Sequence, residues 1–462
     1  MKNTLIFATT FCLVLFNSTL NAQDWPQFLG PERNGTSPQK NLLRSWPEGG
    51  PEVLWTAGLG IGYGGSVIQD GKVYLLDRDD KVGDILRCFD FNNGDELWSF
   101  SYDAPGSVMF PGSRSVPTID NNLIYSSGPY GDLYCVDIST HKPVWHKNIW
   151  TDFGGDPGND PSGEEGEGPG GFGGHGNFPI WAISQCPLVY GNLLIVISQA
   201  PGAGAVAYNK NTGEVVWKTP NLGNESYTSP SLVKIDGEDH IVAVISSTNP
   251  IGRRDLPQTP GHIVGIEPLT GSILWDYDQW HCHISVPGAV DAGDNKVLVV
   301  GGYELGAVMI KVEKQADGSY GTIELFKTEE FGDQTKPPLF IDGYFYAQFG
   351  TNNRRDGMVC MSMNGEVMWQ TKRDPDFNKG SMIFADGLVL ATDGAKSLYL
   401  IEPDPSGFKP LASAEVLTAV VDENDPMSRR FGTQNWAPIA LSDGRLFIRD
   451  QSRLMCLKVA DE

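Results

Sequence analysis

The sequence predicts an all-β fold: an eight-bladed propeller of four-stranded antiparallel blades, closed into a ring. Two observations lead there. A short motif ending in an aromatic residue recurs along the chain, and the two ends supply complementary parts of one repeat. GDELW at Gly94–Trp98 returns as GEVVW at Gly213–Trp217, GSILW at Gly271–Trp275 and GEVMW at Gly365–Trp369. Degenerate copies fill the gaps: PEVLW ending at Trp55, HKPVW at Trp145, TIELF at Phe326 and GFKPL at Leu411. Successive closing positions lie 43, 47, 72, 58, 51, 43 and 42 residues apart. A base period of roughly forty residues is the length of one propeller blade.

Taken in chain order, residues 1–22 read as a secretory leader. Lys2 precedes an apolar run from Leu5 to Leu20, and Ala22 stands just before Asp24. The expectation is export to the periplasm or beyond. The run is short and turns polar at Asn17–Thr19, so no transmembrane segment is expected. Residues 23–50 form an N-terminal segment expected to pack on the propeller, which occupies 51–462.

Each unit of the propeller repeats one internal order. A Ser- or Pro-containing entry leads into an apolar strand, a tight turn and a second strand, as in SVPTIDNNLIYSSG from Ser115 to Gly128. A third strand such as LYCVD at Leu133–Asp137 follows, and then the short strand that ends in the aromatic. Turn pairs such as DG and NG recur at strand spacing while helical periodicity is weak. Pro51–Trp55 is a closing strand with nothing before it, and Leu454–Val459 is a third strand with nothing after it. Pairing them completes the eighth blade and removes the free edges of an open array. The repeated Trp is expected to pack between neighbouring sheets.

The formal net charge is −23, from 34 basic and 57 acidic residues. Such an excess disfavours nucleic acid and anionic membrane surfaces as partners. Of the cysteines, Cys88, Cys135, Cys360 and Cys456 fall in one slot of the repeat, shared with Ala207, Gly265, Met309 and Leu400. Equivalent positions on different blades lie too far apart to bridge, so these read as buried free thiols.

The repeat with its GxxxW close resembles the pyrroloquinoline-quinone (PQQ) type β-propeller superfamily, which includes quinoprotein alcohol dehydrogenases and the propeller lipoprotein of the outer-membrane assembly machine. The opening DWPQFLGPERNGTSP at Asp24–Pro38 and SWPEGGPEVLW at Ser45–Trp55 are similar to a group of exported bacterial propellers, mostly of unassigned function. The resemblance implies either a binding or assembly scaffold or an enzyme holding PQQ with Ca²⁺ in the central funnel. Family enzymes often seat the quinone against a disulfide between adjacent cysteines. No two cysteines are adjacent here.

A propeller brings the loops entering its innermost strands to one mouth of the axial channel. Side chains about three residues ahead of each entry should then form a ring: Tyr63, Arg114, Trp181, Tyr227, His283, Lys336, Lys379 and Trp436. Aromatic faces beside fixed cations suit a planar or sugar-like ligand bearing carboxylates. The competing reading is structural, with the aromatics filling the mouth and the cations paired to nearby acids. In WHCHIS at Trp280–Ser285, an extended backbone would put His281 and His283 on one face about 6–7 Å apart. They are the candidate metal ligands, with His175, His262 or an acid needed as a third. The alternative is one His bonded near the channel and one exposed.

The insertion at 151–177 carries Asp152, Asp156, Asp160, Glu164, Glu165 and Glu167 among glycines. It reads as a solvated lid, or as a Ca²⁺ loop lacking the usual spacing. Arg253–Arg254, Arg354–Arg355 and Arg429–Arg430 would form a basic rim if they share a face. GxSxG, HExxH and phosphate-loop motifs are absent. The leading expectation is an exported monomeric scaffold that recognises a protein partner, a small molecule or a saccharide at the channel mouth. The rivals are a PQQ-dependent oxidoreductase, with Arg114 and Lys379 gripping the cofactor carboxylates and Trp181 or Trp436 stacking on it, and a carbohydrate-active enzyme using Tyr227, His283 and Lys336.

Overall fold

The structure, a computed structural model, describes residues 24–108, 110–156, 178–179, 181–224, 226–248, 259–303, 305–350, 355–419 and 432–461. Eight sheets of consecutive antiparallel strands form the ring. We number the blades by their inner strands: Ser66–Gln69 (blade one), Thr118–Asp120 (two), Leu188–Tyr190 (three), Ser231–Ile235 (four), Val290–Asp291 (five), Leu339–Ile341 (six), Met382–Ala385 (seven) and Ala440–Ser442 (eight). Among the described residues a single 3-10 turn at Thr151–Phe153 is the only helical element.

The ring closes as the two ends of the sequence require. Val53–Gly58 is the outer strand of blade eight and pairs antiparallel with Arg453–Lys458, Trp55 lying opposite Cys456. The strand edge that an open array would leave unpaired at that junction is thereby covered.

The motif has a geometric cause. In each blade the outer strand shifts register just before its closing residue, as between Pro143 and Trp145 opposite Val136 and Cys135. Such a bulge bends the strand and re-aims the following side chain. Trp98 then lies opposite Cys88, Trp217 opposite Ala207 and Trp275 opposite Gly265. The partner slot must be slim because the indole covers it: a Cβ on Gly265 would stand 2.0 Å from Trp275. All six described cysteines are buried free thiols.

The motif glycine belongs to the preceding blade's Trp. A Cβ on Gly94 would lie 2.5 Å from the Trp55 ring, and Gly213 and Gly271 stand likewise against Trp145 and Trp217. The indole N–H of Trp55 donates to Phe91 O at 2.9 Å, that of Trp145 to Lys210 O at 2.9 Å and that of Trp217 to Pro268 O at 3.0 Å. In the degenerate HKPVW copy His141 takes the glycine's place with φ of 58°, and Trp98 stacks on its ring at 4.6 Å. One assignment needs correction. The closing position of blade seven is Ala412, opposite Leu400; Leu411 sits in the bulge, exposed. Without an aromatic at the close, side-chain type does not mark the shift.

The N-terminal segment runs across the face formed by the turns that follow the inner strands. Thr36–Ser37 adds a fifth, parallel strand to the axial edge of blade seven. Trp25 bridges Ile68 of blade one, and Leu42 bridges Ala460 beside blade eight.

Candidate functional site

The opposite face is built by the loops that enter the inner strands. The structure brings the expected positions together there, with one left apart. Tyr63 lies 5.5 Å from Trp436, ring centre to ring centre, and Phe110 closes an aromatic trio at 6.3 Å from Tyr63 and 5.7 Å from Trp436. The Tyr63 hydroxyl donates to Gln434 Oε1 at 2.6 Å. The Arg114 guanidinium donates to the carbonyls of Phe110 and Trp181, and Trp181 meets Tyr227 edge-on at 5.5 Å. His283 stands aside, against Tyr303 at 5.3 Å.

Two lysines converge on Trp436. Lys379 carries its ammonium 4.6 Å from the indole centroid, a cation–π distance. Lys336 Nζ donates to Trp436 O at 2.9 Å. Lys379 is 4% exposed and holds a left-handed backbone, φ 63°. Burial pushes both amines down to about 8, because a desolvated ammonium is disfavoured. The Arg114 guanidinium is lowered to about 10 for the same reason.

Two residues that sequence reasoning missed set this geometry. Asp333, 1% exposed, accepts from the backbone N–H of Thr335 at 2.9 Å and of Lys336 at 3.0 Å, an Asx-type turn that fixes the Lys336 loop. Its second oxygen accepts from Gln348 N at 3.1 Å. Gln348 in turn donates to Thr392 O at 2.8 Å and accepts from Gly380 N at 2.7 Å. One chain of bonds thus ties the two lysine loops together. Burial outweighs these donors and raises the Asp333 carboxyl to about 6. The D-x-T-K spacing of the turn was the available signal; nothing in the sequence marks Gln348.

The other expectations fare differently. WHCHIS is not a strand: the chain leaves its strand at Trp280 and bends at His283 and Ile284. His281 is exposed and His283 half-buried, so the common face assumed for a metal pair does not arise. The imidazole of His262 instead bonds Asp276 at 2.9 Å. Among the described residues no group of three or more His, Cys, Asp or Glu is disposed to hold a metal ion. Tyr227, His283 and Lys336 each pack against a different aromatic, Trp181, Tyr303 and Trp436. Of the basic pairs only Arg355 lies within the described residues, bonded to Asp376 at 2.6 Å; Arg253, Arg254, Arg354, Arg429 and Arg430 lie outside them, as do His175, the leader and 157–177 of the acidic loop.

A PQQ cofactor would find part of what it needs. Lys336, Lys379 and Arg114 suit its carboxylates and Trp436 its ring. Its divalent cation would meet those same positive charges, with Asp333, raised by burial to about 6, as the carboxyl acting on both lysines. Among the described residues the donor set therefore does not fit a metal-bound quinone.

Comparison with known proteins places the fold. No curated protein matches the chain. Among solved structures, BamB from Moraxella catarrhalis is similar with 11% identity over 89% of this chain and 98% of that one, TM-score 0.52. Quinohemoprotein alcohol dehydrogenase from Comamonas testosteroni is similar with 12% identity over 95% and 81%, TM-score 0.56. A europium-containing methanol dehydrogenase shares 10% identity over 95% and 98%, TM-score 0.58. Identities of this size speak to fold alone. Among the described residues no helix is long and apolar enough to cross a membrane. The family model for outer membrane protein assembly factor BamB, of the PQQ-repeat type, matches residues 81–371. That span exceeds half of the chain, and the protein therefore belongs to this family of PQQ-repeat β-propellers.

Proposed function

We propose that the protein is an exported binding scaffold whose channel mouth recognises a planar anionic group, carried by a small molecule or by a partner protein. The observation that carries this reading is the convergence of Lys336 and Lys379 on Trp436. Two ammoniums gathered at one indole offer an anion charge and an aromatic face together. Tyr63, Arg114, Trp181 and Tyr227 extend the same aromatic and cationic lining around the mouth. Export is part of the reading and rests on the leader-like residues 1–22. The solved BamB structure supports a scaffold role by likeness of fold. A PQQ-dependent oxidoreductase is the second reading, favoured by the cations beside an aromatic face and weakened by the lack of fit to Ca²⁺.

The test uses benzene-1,2,4-tricarboxylate as a planar polyanionic probe, titrated calorimetrically. Saturable binding, weakened about tenfold or more in each of Lys336→Gln and Lys379→Gln, is expected, since one charge-assisted hydrogen bond is worth about 1.5–3 kcal/mol. Binding unchanged in both variants, or none in the wild type, overturns it. Dye reduction with alcohols on adding PQQ and Ca²⁺ would favour the second reading.

A further inference from the structure

The N-terminal segment does more than rest on the propeller. It touches seven of the eight blades across the face opposite the mouth. Trp25 and Ile68 exchange two backbone bonds of 2.9 Å at blade one, and Ile119 N of blade two donates to Pro26 O at 2.8 Å. Arg33 reaches blades three and four: Nη2 to Cys186 O at 2.7 Å, Nη1 to Pro187 O at 3.1 Å and Nε to Pro230 O at 3.1 Å. A Cβ on Gly35 would meet Leu339 of blade six at 2.6 Å. Phe384 N of blade seven donates to Gly35 O at 2.9 Å, and Leu43 N donates to Val459 O beside blade eight at 2.9 Å.

Arg33 is the centre of this arrangement. Its remaining bond goes to Gln27 Oε1 at 3.2 Å, so its guanidinium is held by four oxygens of neutral groups and ties the segment to two neighbouring blades. The carbonyls it takes precede the inner strands of blades three and four, which puts its head well up the channel. Cys186, whose carbonyl it binds, accepts at Sγ from Val116 N at 3.3 Å, two residues beyond Arg114 of the mouth. The top of the segment and the floor of the mouth are therefore adjacent.

We propose that residues 24–44 are a built-in axial stopper with Arg33 as its peg, so that the cationic mouth opens into a blind well. A blind well accepts a ligand end-on, as a compact anion or a terminal anionic group, and refuses a chain threaded through the axis. This rests on the anion-binding reading for the ligand's charge, and on the segment's contacts alone for the shape.

The experiment is alkylation of the native full-length protein with iodoacetamide, read by peptide mass. In the wild type Cys186 is protected. In Arg33→Ala it is expected to react about tenfold faster or more while the other five buried thiols stay protected, as local opening rather than global unfolding demands. If all six thiols react in Arg33→Ala, the same criterion is applied to the milder Arg33→Lys. Cys186 equally protected in a folded variant, or already reactive in the wild type, overturns the stopper. A second arm compares the tricarboxylate at the end of a peptide with the same group in mid-peptide. The terminal form is expected to bind at least about tenfold tighter; equal affinities overturn the blind well. Thiol reactivity needs no ligand, so it decides the stopper even if the free tricarboxylate fails to bind.

Discussion

Lys336 and Lys379 share one tryptophan: the first donates to the carbonyl of Trp436 at 2.9 Å and the second holds its ammonium 4.6 Å from the ring centre. Asp333 and Gln348 tie together the loops that carry the pair, which fixes where the two lysine backbones stand.

The shared indole sets a pH dependence for anion binding. Both amines sit at about 8, so the ammonium forms that attract an anion are present below that value and lost above it. Affinity for benzene-1,2,4-tricarboxylate should fall about tenfold or more between pH 7 and pH 9.5, measured by calorimetry at constant ionic strength. A flat profile would exclude the lysines as the binding charges.

The same shift predicts a gain in stability on removing the charge. A lysine whose folded pKa lies below its unfolded one contributes most above the unfolded value and loses that contribution as pH falls toward the folded one. At pH 7 the native Lys379 is therefore a net burden. Lys379→Met should raise unfolding stability by on the order of 1–3 kcal/mol at pH 7 while weakening anion binding, and the gain should vanish near pH 10.5. Denaturant titrations at the two pH values read both outcomes.

Gly94 and Gly71 give a matched pair for the inter-blade contact. Both have positive φ, 74° and 69°, but a Cβ on Gly94 would strike Trp55 whereas Gly71 has open space. Gly71→Ala should cost about 1–2 kcal/mol from backbone strain. Gly94→Ala should cost at least ~3 kcal/mol because overpacking is added. Equal losses would mean that the glycine serves the turn and not the indole.

Acid should loosen blade four at one residue. His240 is 1% exposed and its Nδ1 accepts from the Trp275 indole at 2.9 Å, so protonation there breaks that bond. Burial holds its pKa below 6.5. Stability from the neutral ring is complete above 6.5 and is lost as pH drops toward the folded value. Between pH 7 and 5 the wild type should lose on the order of 1 kcal/mol more than His240→Phe, measured by urea unfolding.

The fold was legible because a single contact imposes the motif. A flat ring on a neighbour's turn requires glycine at one place and an aromatic four residues later, and that demand recurs with every blade. Where the aromatic is missing, at Leu411 and Ala412, the reading slipped by one residue. The convergence of the entry loops was legible for a related reason, since loops entering equivalent strands meet whatever their composition. Phe110, Gln434, Asp333 and Gln348 were not legible because their roles are set by bonds and ring contacts between loops and strands of different blades, which no repeated motif marks. Arg33 was hidden for a further reason: it acts over sequence separations of more than 150 residues, through carbonyls that carry no side-chain signal. WHCHIS misled because two histidines at strand spacing share a face only if the strand continues, and the chain turns there.

The pairing of Val53 with Leu457 and of Gly58 with Arg453 has a mechanical meaning. Both ends of the polypeptide leave blade eight from the same end of that strand pair. Tension applied to them loads the bonds in succession, like a zip, instead of shearing them all at once. The segment pegged by Arg33 lies between the pulled N-terminus and that zip, so the peg must yield before the seam can open.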